Sequence, residues 1–228
     1  MSTLYIIGTP IGNLEDITLR AVRTLSEVSV IFCEDTRVTQ KLLSRYEIDT
    51  PLRRLDANIE KTRAQEVIDH LVSGEDIAFV TDAGTPGISD PGTRLVESVR
   101  QALGDGFSIE PIPGASALTA VLSIAGVQAD QFVFIGFLPH KKGRQTLLKE
   151  INTIWRAVVL YESPHRILKL LTELTECIGE RKVVVARELT KKFEEVQIGS
   201  PLDIKNFFEE SRTVMKGEFV VVISPKKQ

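Results

Sequence analysis

One stretch near the middle of the chain constrains the fold more than any other. Residues 77–80 are apolar and favour a buried strand, and a dense series of turn-forming residues follows at once over 81–92. Asp90 and Pro91 then have the side chains typical of a helix N-cap and a first helical position. The stretch therefore predicts a strand, a stiff polar loop and a helix, an arrangement whose loop holds ligands in open α/β sheets. The alternative is a simple connector in a segment rich in proline and glycine.

The same alternation recurs along the chain and predicts an α/β fold with two domains. Strands alternate with helices up to Gly114, which favours a mostly parallel sheet in an N-terminal domain over 1–114. In a C-terminal domain over 115–228, two strands follow each other without a helix between them, which favours a mixed sheet. The predicted strands are 4–7, 28–33, 51–56, 77–80, 108–112, 132–137, 157–161, 182–187, 194–199 and 218–224. The predicted helices include 38–46, 62–72, 116–126, 144–153, 164–177 and 201–210, and a helix near 19–25 is capped by Asp16 or Thr18.

Charge is distributed unevenly between these halves. The chain has 28 Lys and Arg against 31 Asp and Glu, a net charge of −3. Residues 1–114 have 11 against 18 (−7) and the remainder 17 against 13 (+4), which sum to −3. An acidic half beside a basic half can hold a polyanion on one side only.

Several classes of protein are disfavoured. No apolar run approaches the ~20 residues that span a bilayer, and no basic leader precedes the first strand, so we expect no membrane anchor and a cytoplasmic location. Cys33 and Cys177 are isolated, which suits a reducing compartment. Histidines are scattered, so no metal site is predicted, and a magnesium site at Asp82 and Asp90 is disfavoured.

Polar clusters follow two of the predicted strands. Residues 34–37 (Glu-Asp-Thr-Arg) are either a helix cap with a salt bridge or carboxylates directed at a substrate. In residues 161–166, capping by Ser163 and Pro164 explains those two residues but not Glu162, His165 and Arg166.

Two basic segments lie in the second half. One loop carries His140, Lys141, Lys142 and Arg144, and a turn near Lys191 is the other. Each is either a phosphate-contacting surface or a solvated run of charge. The loop over 8–12 has neither the glycine spacing of a dinucleotide fingerprint nor the Gly-Lys-Ser/Thr of a P-loop.

Six motifs in order, at 4–14, 34–37, 81–92, 113–117, 136–139 and 161–166, make the chain similar to the tetrapyrrole-methylase superfamily of S-adenosylmethionine-dependent methyltransferases. Within it, the chain resembles enzymes that methylate the ribose 2′-oxygen of a cytidine in the decoding region of small-subunit rRNA. The resemblance implies two α/β domains with a cofactor cleft between them, a homodimer, and small-subunit rRNA or the small ribosomal subunit as partner. Many members of this subgroup carry a further small C-terminal domain, which we expect to be absent here.

The resemblance also implies roles for residues. The cofactor S-adenosyl-L-methionine would be held by Asp82, Ala83, Gly84, Ile88, Ser116, Ala117, Leu138 and Glu162. The loops at 8–12 and 34–37 would face the acceptor, among them Thr9, Pro10 and Gly12. From the charge of the residues themselves, contact with RNA is also expected of His140, Lys141, Lys142, Arg144, His165 and Arg166. Because the methyl group arrives already activated, the protein's main tasks are placement and removal of the ribose proton.

The catalytic candidates are Glu34, Asp35, Arg37 and Lys191. The ribose proton is expected to be taken or oriented by a carboxylate such as Glu34 or Asp35, or by Lys191 if burial lowers its pKa towards neutrality. Two other functions stay open at this point. One is a corrin- or porphyrin-precursor methyltransferase of the same fold, and the other is a non-catalytic RNA-binding module.

Overall fold

The computed structural model describes residues 2–57, 59–210 and 216–226, and the chain divides into two compact units, Met1–Ser116 and Ala117–Gln228. The predicted junction at Gly114 lies two residues before this division.

The first unit is built on a five-stranded parallel sheet in the order β3-β2-β4-β1-β5. Its elements are β1 (Thr3–Ile7), α1 (Leu19–Glu27), β2 (Val30–Cys33), α2 (Thr36–Arg45), β3 (Leu52–Arg54), α3 (Glu60–Val72), β4 (Ile77–Val80), α4 (Thr93–Leu103) and β5 (Ser108–Ile112). The parallel alternation predicted from the sequence is confirmed. Both β2 and β4 are buried throughout, because the sheet is covered on both faces.

Each face of this sheet has its own core. On one face, Phe32 and Phe79 pack with residues of α3 and α4, such as Val67 and Leu95. On the other face, Ile31 and neighbouring strand residues pack with α1 and α2. Successive side chains of a strand point to opposite faces, so a four-residue apolar strand supplies both cores.

The helix that follows the 81–92 loop begins later than predicted. Its N-cap is Gly92 rather than Asp90, and Pro91 lies in the preceding turn. The capping acceptor is instead the buried carboxylate of Glu60, at the start of α3, which accepts hydrogen bonds from the backbone N–H groups of Gly92 and Leu95, both at 2.9 Å. A negative charge at a helix N-terminus is stabilising, so Glu60 fixes the end of the loop from a distant part of the chain.

Glu60→Ala is expected to lower the free energy of unfolding by about 1–2 kcal/mol, because two backbone donors lose their acceptor. Glu60→Gln keeps one acceptor oxygen and should lose less. Urea denaturation followed by circular dichroism measures both variants. Equal stability of wild type and Glu60→Ala would contradict this role.

The second unit has a mixed five-stranded sheet in the order β6-β7-β10-β8-β9. Its elements are α5 (Ala117–Ile124), β6 (Phe132–Phe137), α6 (Arg144–Thr153), β7 (Ala157–Glu162), α7 (Ile167–Cys177), β8 (Val183–Arg187), β9 (Glu195–Gly199), α8 (Pro201–Glu210) and β10 (Phe219–Ile223). Strands β6 and β7 are parallel, whereas β10 runs antiparallel to β7 and β8, and β8 antiparallel to β9. The predicted mixed sheet is confirmed, and its main core lies under α6, α7 and α8.

The predicted start of the seventh helix is wrong. Helix α7 begins at Ile167 instead of Pro164, and its N-cap is Arg166. Ser163 still closes the preceding turn, because its carbonyl accepts from the N–H groups of Arg166 (3.0 Å) and Ile167 (3.1 Å).

Candidate active site

Loops from neighbouring strands meet at the carboxyl edge of the first sheet. Thr9, just after β1, exchanges two backbone hydrogen bonds with Gly84, after β4, at 2.9 and 3.1 Å. The Thr9 hydroxyl also donates to the Thr81 carbonyl at 3.2 Å. The β1 and β4 loops are therefore bound to each other directly beyond the sheet, at the place where parallel sheets hold ligands.

The loops after β1 and β5 touch through their backbones. A Cβ placed on Gly114 would lie 2.5 Å from the Gly8 carbonyl oxygen, and one on Gly8 would lie 2.9 Å from the Gly114 Cα. No side chain fits at either position, since real Cβ atoms do not approach other atoms so closely. Glycine is required here for close approach.

Gly114→Ala is therefore expected to lower the free energy of unfolding by about 1–3 kcal/mol, because the two loops must separate to admit the methyl group. Gly106→Ala is the matched control, because the space around a Gly106 Cβ is open and its φ is not positive. Thermal or urea unfolding of both variants measures the difference. Equal stability of the two variants would show that the loops separate without cost.

Three carboxylates gather beside these loops. The Asp82 side chain, after β4, accepts a hydrogen bond from the backbone N–H of Asp35, after β2, at 3.0 Å. Burial, with the nearby charge of Asp82, raises the pKa of Glu34; burial, with the charge of Asp35, raises the pKa of Asp82. The three carboxylates therefore concentrate negative charge in a small region. The raised pKa values of Glu34 and Asp82 reflect the cost of carrying that charge there.

Asp35 is the exception within the cluster. It caps α2 through the N–H of Arg37 (2.8 Å) and forms a salt bridge with the Arg37 guanidinium at 2.6 Å. Hydrogen bonds from Arg37 lower the pKa of Asp35 to about 2. Of the two interpretations of residues 34–37, the cap with a salt bridge describes Asp35 and Arg37, while Glu34 is left as the carboxylate with a raised pKa.

The other predicted residues of the first unit lie on the same loops. Pro10 is buried, Gly12 is exposed, and Ile88 is partly exposed at 40%. Ala83 and Gly84 lie in the loop after β4, and Gly84 has a positive φ of 80°. Ser116 is half-buried near Ala115, whose carbonyl accepts from the Thr85 hydroxyl at 3.4 Å. Ala117 begins α5 in the second unit.

In the second unit, an ion-pair cluster joins the loops after β6 and β7. The fully buried carboxylate of Glu162 lies 2.6 Å from the Arg166 guanidinium and 3.6 Å from that of Arg144. Arg144 also pairs with Glu173 at 2.7 Å, and Arg166 donates to the Leu138 carbonyl at 2.9 Å. Glu162 and Arg166, which capping could not explain, therefore fix the shape of the two loops.

This cluster corrects the interpretation of the basic loop. Arg144 was expected on an exposed surface with His140, Lys141 and Lys142, but its side chain is only 3% exposed and is engaged by carboxylates. The other three residues are exposed, as is His165. Glu173, the acidic partner of Arg144, was not identified from the sequence because it lies 29 residues away on α7.

The expectation for Lys191 is also wrong. Burial alone would lower the pKa of its ammonium group, but ion pairs with Glu188 and Glu218, both at 2.9 Å, hold it above its ordinary value. A lysine held in its charged form cannot accept a proton at neutral pH.

Comparison with known proteins identifies the family of this chain. Residues 3–202 match the family Tetrapyrrole (Corrin/Porphyrin) Methylases. The ribosomal RNA small subunit methyltransferase I of Borrelia garinii subsp. bavariensis is 46% identical over 97% of this chain and 98% of its own length. The protein of the same name from Thermotoga maritima is 43% identical over the whole of both chains. The chain belongs to the ribosomal RNA small subunit methyltransferase I family.

The fold agrees with this family membership. The crystal structure of the methyltransferase CobJ superposes with a TM-score of 0.73 at 20% identity, covering 99% of this chain and 95% of that one. This likeness shows the fold and says nothing about which molecule accepts the methyl group.

Three further findings concern a thiol, metal ligands and membrane-spanning helices. Burial raises the pKa of the Cys33 thiol to about 11, so it is protonated at neutral pH and is no nucleophile. Within residues 2–57, 59–210 and 216–226, no three metal-binding side chains are grouped to hold an ion, and no helix has the length and apolar character to span a membrane.

Proposed function

We propose that the protein transfers a methyl group from S-adenosyl-L-methionine to the ribose 2′-oxygen of a cytidine in the decoding region of small-subunit rRNA. The observation that carries this proposal is 46% identity, over nearly the full length of both chains, to a ribosomal RNA small subunit methyltransferase I. The methyltransferase CobJ shares the fold at only 20% identity, whereas the relatives that are 43% and 46% identical carry the name of a ribosomal RNA methyltransferase. The ribosomal RNA acceptor is therefore favoured over a tetrapyrrole precursor.

The residues at the first sheet's edge fit the donor. Its sulfur is positively charged, and the carboxylates of Glu34, Asp35 and Asp82 supply negative charge beside loops with small side chains. The raised pKa values of Glu34 and Asp82 mean that a nearby cation would relieve repulsion. The Thr81 hydroxyl, at the base of these loops, is enclosed and has no hydrogen-bond partner among the described residues, which indicates a site completed by another molecule.

The cofactor, when bound, supplies a methyl group already activated by positively charged sulfur. The protein would hold it with the loop of Asp82, Ala83, Gly84 and Ile88 and with the segment at Ser116 and Ala117. The contacts expected of Leu138 and Glu162, in the second unit, would be made by their backbones, because the Glu162 side chain is engaged with arginines.

Glu34 is the proposed proton acceptor. A general base works best when its pKa lies near the operating pH, and the pKa of Glu34 is raised in that direction. Asp35 cannot replace it, since hydrogen bonds from Arg37 hold its pKa near 2. Asp82 would orient the loop by binding the Asp35 N–H. The stiff, mutually bound loops then supply the alignment that methyl transfer requires.

Further parts of the proposal concern the RNA and the assembly. Thr9, Pro10, Gly12 and Arg37 would face the acceptor, with the Arg37 guanidinium 86% exposed. The exposed His140, Lys141, Lys142 and His165 would contact phosphates, in line with the positive charge of residues 115–228. The protein would act as a cytoplasmic homodimer, which sedimentation at working concentration tests.

Transfer of a labelled methyl group tests the activity. Small subunits and naked small-subunit rRNA, both lacking the modification, are incubated with the protein and labelled S-adenosyl-L-methionine. We expect labelling of one cytidine that becomes resistant to alkaline cleavage, because methylation removes the attacking 2′-hydroxyl. Cofactor binding in calorimetry without transfer to either RNA substrate would indicate a non-catalytic module. Transfer to a porphyrin precursor alone would indicate the other branch of the fold.

A further inference from the structure

A cavity of about 500 Å³ lies in the second unit, at the sheet edge opposite to the loops at 138–144 and 163–166. It adjoins the amino ends of β6 and β7 and the end of β10, roughly 20 Å from those loops for a six-residue strand. Its lining includes Gln128, Asp130, Gln131, Trp155, Arg156 and Lys226. The size falls in the range of small-ligand sites, and the proposed methyl transfer does not use it.

The tryptophan in this cavity is the only one in the chain and is 48% exposed. Its backbone is held firmly. The Trp155 carbonyl accepts from the N–H of Lys226 at 2.9 Å, and the buried Arg181 guanidinium donates to the carbonyls of Ile154 (3.1 Å) and Arg156 (2.9 Å) on either side. An exposed indole whose backbone is fixed in this way is typical of a binding surface.

The charged and polar groups around the indole are also positioned. The Arg156 guanidinium lies 4.4 Å from the centre of the Trp155 ring, and its Nε donates to the Gln131 side chain at 2.8 Å. Arg156 and Lys226 are cations, and Asp130 contributes one carboxylate. The cavity thus combines an aromatic plane and two cations with amide and carboxylate edges.

We propose that this cavity binds an unpaired nucleotide of the RNA, an inference that rests on the proposed function in taking RNA as the substrate. Single-stranded RNA is recognised by stacking of bases on aromatic or guanidinium planes and by cations at the phosphates. The side chains of Gln128, Gln131 and Asp130 offer hydrogen-bonding groups for a base edge, and a carboxylate can accept from a cytosine amino group. The cavity would anchor RNA at a second point, a strand's length from the second-unit loops.

Fluorescence of the single tryptophan tests the proposal directly, because every change in emission reports on this position. Wild-type protein is titrated with single-stranded RNA hexamers, and with ribose 5-phosphate and inorganic phosphate as probes that lack a base. We expect saturable quenching by the hexamers and none by the two base-free anions. Absence of quenching by RNA at low salt, or equal quenching by ribose 5-phosphate, would overturn the proposal.

Binding of labelled small-subunit rRNA gives a second measurement. Trp155→Ala should weaken it about tenfold, as expected for loss of one stacked base. Lys226→Ala should reduce the slope of the logarithm of affinity against the logarithm of salt concentration by about one.

The control is Phe207→Ala, which removes an exposed aromatic side chain on α8 and should bind as wild type. If it loses as much affinity as Trp155→Ala, the cavity has no special role. Quenching without methyl transfer would leave this site standing while the proposed function fails, so the two are distinguishable.

Discussion

Glu34→Gln is expected to reduce methyl transfer about 10²- to 10⁴-fold, the usual contribution of a general base. Cofactor binding should weaken far less, because the carboxylates of Asp35 and Asp82 remain. The amide keeps the shape of the side chain but cannot accept the ribose proton. Single-turnover transfer to small subunits, with calorimetry for S-adenosyl-L-methionine, measures both effects. Glu27→Gln, at the exposed end of α1, is the matched control and should transfer as wild type.

Glu34→Gln, although it lowers activity, is not expected to lower the free energy of unfolding. Burial and the neighbouring Asp82 raise the pKa of Glu34 in the folded state, so the unfolded chain releases this proton first as pH rises. The stabilising contribution of the protonated form is present below the unfolded pKa and is lost as pH rises through the folded pKa. Glu34→Gln should therefore be at least as stable as wild type at pH 7, as urea unfolding can show.

Activity should follow the same ionisation. Transfer by the wild type should fall as pH decreases through the raised pKa of Glu34, since only the carboxylate accepts a proton. A variant Glu34→Gln with full turnover would remove Glu34 from the mechanism. A variant that loses both activity and stability would indicate a structural role instead.

Arg144→Met is expected to cost about 3–5 kcal/mol in the free energy of unfolding, the usual effect of removing one partner of a buried ion pair. The substitution leaves Glu173 without its 2.7 Å partner and Glu162 with Arg166 alone. Urea denaturation measures the loss. Lys142→Met, in the same loop but exposed, is the control and should change stability by less than about 0.5 kcal/mol.

A double variant separates a buried pair from a simple packing loss. Arg144→Met with Glu173→Met replaces both charges by apolar groups of similar length and should recover much of the lost stability. If Arg144→Met folds as stably as wild type but binds rRNA less tightly, then the original expectation of an RNA-contacting arginine is right and the ion-pair account fails.

The contrast between Arg144 and its neighbours shows what sequence can predict here. Periodicity placed β4 at 77–80 and α6 at 144–153 with the observed bounds, because strand and helix patterns are local. The motif order identified the family. Whether Arg144 faces water or a carboxylate depends on Glu173 in another helix, and no local pattern reports that pair.

Glu60 illustrates the same limit for the candidate site. Asp90 and Pro91 have the local signature of a helix start, yet the acceptor for α4 comes from α3, about 30 residues earlier. Likewise, the raised pKa of Glu34 depends on burial and on the charge of Asp82, a residue of another loop. Contacts of this kind arise only when the sheet places distant strand ends side by side.

The meeting of Gly8 and Gly114 has a consequence for how this enzyme can change. Because the two loops touch main chain to main chain, their spacing does not depend on the identity of surrounding side chains such as Thr9 or Pro113. If these loops hold the donor as proposed, point substitutions beside the glycines can alter which acceptor is admitted while the spacing of the two loops is inherited unchanged. Efforts to redirect the enzyme to a new nucleoside should vary those neighbours and leave both glycines in place.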